Sequence, residues 1–196
     1  WGIIGSILLP FVSFSLATIF LPKMFALSLS IYFLLTNAYS FYLKAKSTID
    51  VLTLAALYTI RIVAGGLAIT VALTSWLLTF SFFLFLSLAY LKRYIELAER
   101  SPEAGSLPGR GYASVDTEGL FTFGVGAMYA AAMVLALYIE NTIATSTYQT
   151  PLILWGLIFI LTFWGNRIWI GARRGQIDDD PIVFAIKDRK SLISGG

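Results

Sequence analysis

Long unbroken apolar stretches, rather than alternating ones, organise this chain. Six segments at about 1–21, 23–43, 51–70, 73–91, 119–139 and 151–171 carry almost no charge. About 20 such residues span the hydrocarbon layer as a helix. A segment alone in lipid satisfies its backbone hydrogen bonds only within itself, so each is expected to be helical. Transmembrane strands would alternate over about 10 residues, and a run such as Trp76 to Leu91 does not. The pattern predicts an all-α polytopic transmembrane bundle, one domain over 1–196. Its loops fall at 44–50, 92–118 and 172–196 on one side and at 22–23, 71–72 and 140–150 on the other. Pro10 is expected to kink the first span. The chain opens at Trp1 directly on an apolar run with no basic flank, unlike a signal peptide. It is read as a fragment of a longer membrane protein.

Composition agrees. Hydrophobic residues make up 58% of the 196 and charged ones 13%, against about 45–50% and about 25% in soluble domains. The mean hydropathy is +0.79. With no Cys and no His, disulfide frameworks, Cys/His zinc sites, His-ligated haem and His-based nucleophilic triads are excluded.

The charges are segregated. Lys44, Lys46, Lys92, Arg93, Arg100, Arg110, Arg173, Arg174, Lys187, Arg189 and Lys190 lie on one side, 11 of the 14 basic residues; the other side holds Lys23. The positive-inside rule makes the charged side cytoplasmic, in a cell inner (plasma) membrane. Ten of the 11 acidic residues also lie there, Glu140 being the exception. Two readings stand: ordinary long charged loops, or a polar site at the membrane face.

Arg61 lies 11 residues beyond Asp50, about 16 Å along a helix. An arginine at that depth costs about 3 kcal/mol, so it is expected to face the bundle interior beside a partner. It serves either as a clamp on helix-end carbonyls or as a cation for an anionic head group. Gly65 and Gly66 either let a neighbouring helix approach closely or break the helix so that backbone lines a cavity. Arg167, beside Asn166, is expected to snorkel to the interface. The aromatics of Ser81-Phe-Phe-Leu-Phe either pack or line a groove for a lipid tail.

Three cytoplasmic segments carry dense chemistry: Tyr39-Ser-Phe-Tyr-Leu-Lys44, Tyr90-Leu-Lys-Arg-Tyr-Ile-Glu96, and Asp178-Asp-Asp-Pro181 followed by Lys187-Asp-Arg189. If 90–100 is helical, Lys92 and Glu96 share a face at i, i+4, as do Glu96 and Arg100. An adjacent Lys-Arg pair beside a carboxylate suits a diphosphate with its divalent metal; positive-inside anchoring explains the same cations. Asp178, Asp179 and Asp180 form either a Mg²⁺ site or a solvated turn. The 101–111 loop, rich in Pro and Gly, is either a lid or a connection.

Five segments in order connect the chain to known proteins. They are Tyr39–Lys44 with Ile49-Asp50-Val51, then Arg61-Ile-Val-Ala-Gly-Gly66, then Lys92-Arg-Tyr-Ile-Glu-Leu97. Gly109-Arg-Gly-Tyr112 with Asp116 follows, and Asp179-Asp-Pro-Ile-Val-Phe-Ala-Ile-Lys-Asp-Arg189 comes last. Together they resemble the UbiA superfamily of intramembrane prenyltransferases, and within it the decaprenyl-phosphate phosphoribosyltransferase branch. The Gly-Arg-Gly-Tyr segment looks more like relatives that carry a hydrolase domain ahead of the membrane part.

The resemblance implies a nine-helix fold of which helices three to eight are present. It further implies Mg²⁺, a prenyl tail in a lateral opening, and two facing cytoplasmic motifs. The first motif, an Asn-Asp-x-x-Asp-x-x-x-Asp run, is absent from this chain, so the chain alone is expected to be inactive. Lys92, Arg93 and Glu96 stand where an Asp-x-x-x-Asp usually lies.

The implied reaction joins a polyprenyl phosphate to phosphoribosyl diphosphate and releases diphosphate, with no nucleic-acid partner. Lys92, Arg93 and Glu96 are the catalytic candidates. Lys44, Arg61, Arg110 and Arg189 are candidate phosphate ligands, and Glu96 and Asp188 candidate metal ligands. The alternatives are prenyl transfer from a polyprenyl diphosphate to an aromatic or quinone acceptor, a membrane transporter, and a non-catalytic scaffold.

Overall fold

The computed structural model describes residues 12–99, 109–144 and 151–177. Regular structure among them is helical. A segment at 12–20 (α1) is followed by α2 (Lys23–Phe41), α3 (Ile49–Ala68), α4 (Ser75–Ala98), α5 (Thr117–Ala144) and α6 (Trp155–Arg173), with short 3-10 turns between. Among the described residues four helices are long and apolar enough to cross a membrane: α2, α3, α4, and α5 taken with the turn before it. The chain is therefore a membrane protein, all-helical over its described residues, and its outward apolar side chains, such as Phe20, Leu34 and Phe159, suit contact with lipid.

Among the described residues helices lie in the expected stretches, but α2 to α5 alone reach the length and apolarity of a span, and two boundaries differ. The fourth helix runs past the expected end of its span at residue 91, to Ala98, so the helical condition set for 90–100 is met over 92–98, within the expected 92–118 connection. Leu91, Arg93, Tyr94, Ile95 and Leu97 are all buried there, and packing that dense holds the extra turns. The sixth span begins later than expected, at Trp155, after a 3-10 turn over Pro151–Leu154. Pro10, Arg100, the Asp178–Asp180 cluster and most of the 101–111 loop lie outside the described residues.

Each helix packs chiefly against its chain neighbours, and α4 with α5 forms the most extensive pair. They come close at Gly124, where an added Cβ would fall 2.2 Å from the Trp169 ring of α6 and 2.9 Å from Tyr90 Cβ of α4. Ser87 Oγ donates to Gly124 O at 2.7 Å and accepts from Trp169 Nε1 at 3.1 Å. Three helices are thus tied by one buried hydroxyl. In an apolar medium small residues permit such contact and the polar bonds add to it.

At Gly65-Gly66 the helix is not broken, and no neighbouring helix touches Gly65, which has nothing within 4 Å of its Cβ position. α3 runs through both, and Leu73 from the following loop sits on Gly66. The Ser81–Phe85 aromatics also pack: Phe82, Phe83 and Phe85 lie against the core, and Phe85 stacks on Tyr58 at 5.1 Å.

Candidate functional site

At one end of the bundle, four segments of the chain bring two carboxylates, two guanidinium groups and a phenol together. Asp50 enters from the first turn of α3, where the helix dipole favours a carboxylate. Arg93 and Glu96 come from the last turns of α4, Tyr39 from the end of α2, and Arg110 from the loop before α5. Asp50 and Arg93 are buried, at 0% and 1% exposure, whereas Arg110 and Glu96 retain 24% and 30%.

The contacts form a closed ring. Arg93 Nε lies 2.6 Å from Asp50 Oδ2, an ion pair out of hydrogen-bond alignment. The Tyr39 hydroxyl donates to Asp50 Oδ1 at 2.7 Å and accepts from Arg93 Nη2 at 3.3 Å and Arg110 Nη1 at 3.2 Å. Arg110 Nη1 also reaches Asp50 Oδ1 at 3.2 Å, and its Nε lies 3.5 Å from Glu96 Oε2. Arg93 Nη1 donates to the same Glu96 oxygen. Two carboxylates and two guanidinium groups balance in formal charge, which is what allows the inner pair to be buried.

The loop that delivers Arg110 is latched. Gly109 has φ +70, a conformation that L side chains rarely adopt. Gly111 lies against the α2–α3 connection so closely that a Cβ would come within 2.7 Å of Ala45 O and Ser47 N. Tyr112 is buried, and its hydroxyl accepts from the Thr48 N–H at 3.0 Å. That bond secures a residue held at φ 66, a strained position for threonine. Burial pushes the Tyr112 phenol up to about 12, so it stays protonated. For Arg110, burial acts to lower the pKa, but the bond to Tyr39 and the charges of Glu96 and Asp50 outweigh it. Its guanidinium is therefore held above its ordinary range.

Of the residues expected from sequence, Arg93, Glu96 and Arg110 meet here. Glu96 turns to Arg93 and Arg110 rather than to Lys92, which is exposed on α4. Lys44 is exposed on the 3-10 turn Leu43–Ala45, beside the backbone that Gly111 touches. Arg189 and Asp188 lie outside the described residues.

Arg61 corrects its expectation. It is exposed and does not face the bundle interior. Its guanidinium lies over the rings of Tyr32 and Tyr58, at 5.2 and 5.0 Å, and its Nε donates to Tyr32 Oη at 3.0 Å. Aromatic faces supply the electrostatic partner, while the inward positions of α3 are filled by Val51, Ala55 and Leu57. Arg61 does not join the ring at Asp50.

Sequence reasoning quoted Tyr39, Asp50 and Tyr112 inside motifs but gave them no role. The available signal was Asp50, the one carboxylate of α3, in the first turn of a largely apolar helix. A metal ion fits this cluster poorly. No group of three acidic side chains suited to a metal occurs among the described residues, and both oxygens of Asp50 and the inner oxygen of Glu96 are engaged by arginines or Tyr39.

No protein-family model matches the chain. It is 36% identical over 177 residues to the uncharacterised protein y4nM of Sinorhizobium fredii, covering 89% of this chain and 34% of that protein. It is 31% identical over 172 residues to the nodulation protein NoeC of Azorhizobium caulinodans, covering 87% of this chain and 56% of NoeC. The chain thus spans about a third and about half of the lengths of these relatives.

Proposed function

We propose that the chain is the core of a UbiA-type intramembrane transferase that joins phosphoribosyl diphosphate to a polyprenyl phosphate at the inner face of the cell membrane. One observation carries the reading: residues from three of the five resemblance segments contribute side chains to a single ring. Tyr39 and Asp50 come from the first, Arg93 and Glu96 from the third, and Arg110 from the fourth. The last segment lies outside the described residues, and Arg61 of the second stands apart.

In the reaction, the C1–O bond to diphosphate breaks and the diphosphate leaves with the electron pair. A phosphate oxygen of the lipid forms the new bond to C1. Positive charge grows on the sugar while negative charge grows on the leaving group. Preorganised guanidinium groups stabilise the latter because they need no reorientation as charge develops. Arg110, half-exposed at the rim, is the direct phosphate ligand. Arg93 and Asp50 beneath it fix its orientation, and the half-exposed Glu96 is available to ribose hydroxyls. Lys44 and Lys92, both exposed at this end, add long-range attraction for the polyanion. Magnesium, implied by the resemblance, requires ligands beyond Asp50 and Glu96, and no step here runs through it.

The test is a transfer assay on the full-length protein in detergent or vesicles. Radiolabelled phosphoribosyl diphosphate and a polyprenyl phosphate are expected to yield a labelled lipid and free diphosphate. Product formed instead from a polyprenyl diphosphate and an aromatic acid would replace this reading with aromatic prenylation. Solute flux without either product would replace it with transport.

A further inference from the structure

The two carboxylates of the ring are held differently. Asp50 is fully buried, and Arg93, Arg110 and the Tyr39 hydroxyl all engage it. Glu96 is 30% exposed, and one oxygen, Oε2, makes both of its contacts with the arginines. That oxygen accepts from Arg93 Nη1 and lies 3.5 Å from Arg110 Nε.

Local structure sharpens the difference. Asp50 sits in the first turn of α3, where the helix dipole stabilises negative charge. Glu96 sits in the last turn of α4, which holds no basic residue, and there the dipole opposes a carboxylate. The guanidinium groups of Arg93 and Arg110 offset that opposition. A glutamate side chain has several rotatable bonds, so it turns outward without any shift of α4.

Asp50 cannot leave in this way. Its departure would strand Arg93 at 1% exposure, which costs far more than losing a partly exposed contact. With Glu96 turned away, by contrast, Asp50 still partners both arginines. One positive charge is then unbalanced, and it lies between Arg93 Nη1 and Arg110 Nε, where Oε2 stood. Guanidinium N–H groups converging on one oxygen take phosphate as well as carboxylate.

We propose that Glu96 occupies the phosphate position of the ring and is exchanged for a phosphate group of the substrate, whose oxygen then bridges Arg93 Nη1 and Arg110 Nε. Such exchange rests on the reading of the ring as a phosphate site; what it adds is a competitor built into the chain. One anion replaces another, so the buried Asp50–Arg93 pair keeps its neighbours throughout. The released carboxylate is the one left for the ribose hydroxyls.

The test titrates inorganic pyrophosphate into the full-length protein in mild detergent, without divalent metal, by isothermal calorimetry. Glu96→Gln keeps the shape of the side chain and removes its charge. It is expected to bind pyrophosphate at least about tenfold more tightly than wild type, since a charge-assisted contact no longer has to be broken. Glu96→Ala also vacates the position and is expected to follow it, so either variant serves if the other misfolds. Glu99→Gln removes the same charge about one turn further along α4, from an exposed residue. It is expected to change the affinity less than about twofold, because exposed charges are screened. Unchanged or weaker binding in the Glu96 variants would overturn the proposal, making Glu96 a support for Arg110 and not a rival for it. Equal gains in Glu96→Gln and Glu99→Gln would overturn it as well, as an effect of net charge alone. Pyrophosphate binding by none of these proteins would overturn both the exchange and the phosphate site. The expected gain in a protein that fails the transfer assay would uphold the exchange and remove only the transfer reaction.

Discussion

Arg93→Met in the full-length protein is expected to abolish transfer and to destabilise the bundle by about 3–5 kcal/mol, the usual cost of leaving one member of a buried ion pair unpartnered. Asp50 would remain without exposure and without its 2.6 Å partner. A purely structural pair makes a different forecast from a functional one in the double variant. Asp50→Asn with Arg93→Met removes both charges and should recover most of the lost stability, since buried pairs replaced together often cost little. Transfer should stay absent, because Arg110 has lost the carboxylate that orients it. Stability can be read from unfolding in a denaturing detergent and activity from the labelled-lipid assay. Recovery of both together would make the ring a structural lock alone.

Gly111→Ala is expected to reduce transfer at least about tenfold while the helices stay folded, because a 1 Å misplacement at a reacting centre can cost far more than that. The new methyl meets backbone, not a flexible side-chain end: Ala45 O and Ser47 N at 2.7 Å. The α2–α3 connection and the Arg110 loop must therefore separate, pulling Arg110 from Tyr39 and Asp50. Gly109→Ala is the useful comparison. It meets no neighbour within 4 Å and suffers only from its positive φ, a cost of about 1–2 kcal/mol. A KM for phosphoribosyl diphosphate that rises in Gly111→Ala and barely moves in Gly109→Ala is the expected pattern. Equal, small effects would detach the latch from substrate binding.

Much of the helical order was legible because apolar run length in lipid leaves little choice of structure. The end of α4 was less legible. Lys92-Arg-Tyr-Ile-Glu carries enough charge to be placed in a connection outside the span, and the carboxylate of Asp50, 43 residues earlier in the chain, together with Glu96 makes burying Arg93 tolerable. Partners that far apart leave no local pattern. The same holds for Arg110, whose place depends on Gly111 fitting against the 45–47 backbone. Arg61 failed for a different reason. Depth along the helix predicted a need for a partner, but Tyr32 and Tyr58 met that need on the outer face. Hydropathy does not distinguish an aromatic partner from a carboxylate.

Titration of the full-length protein with phosphoribosyl diphosphate, followed by its melting temperature, tests the anion site most directly. Wild type should melt higher as the ligand is added, since a ligand bound only by the folded state stabilises it. Arg110→Gln should weaken the apparent affinity at least about tenfold, as expected for a lost charge-assisted contact, while Lys23→Gln at the opposite end should leave it unchanged. Equal shifts in wild type and Arg110→Gln would contradict a phosphate site in the ring of Tyr39, Asp50, Arg93, Glu96 and Arg110.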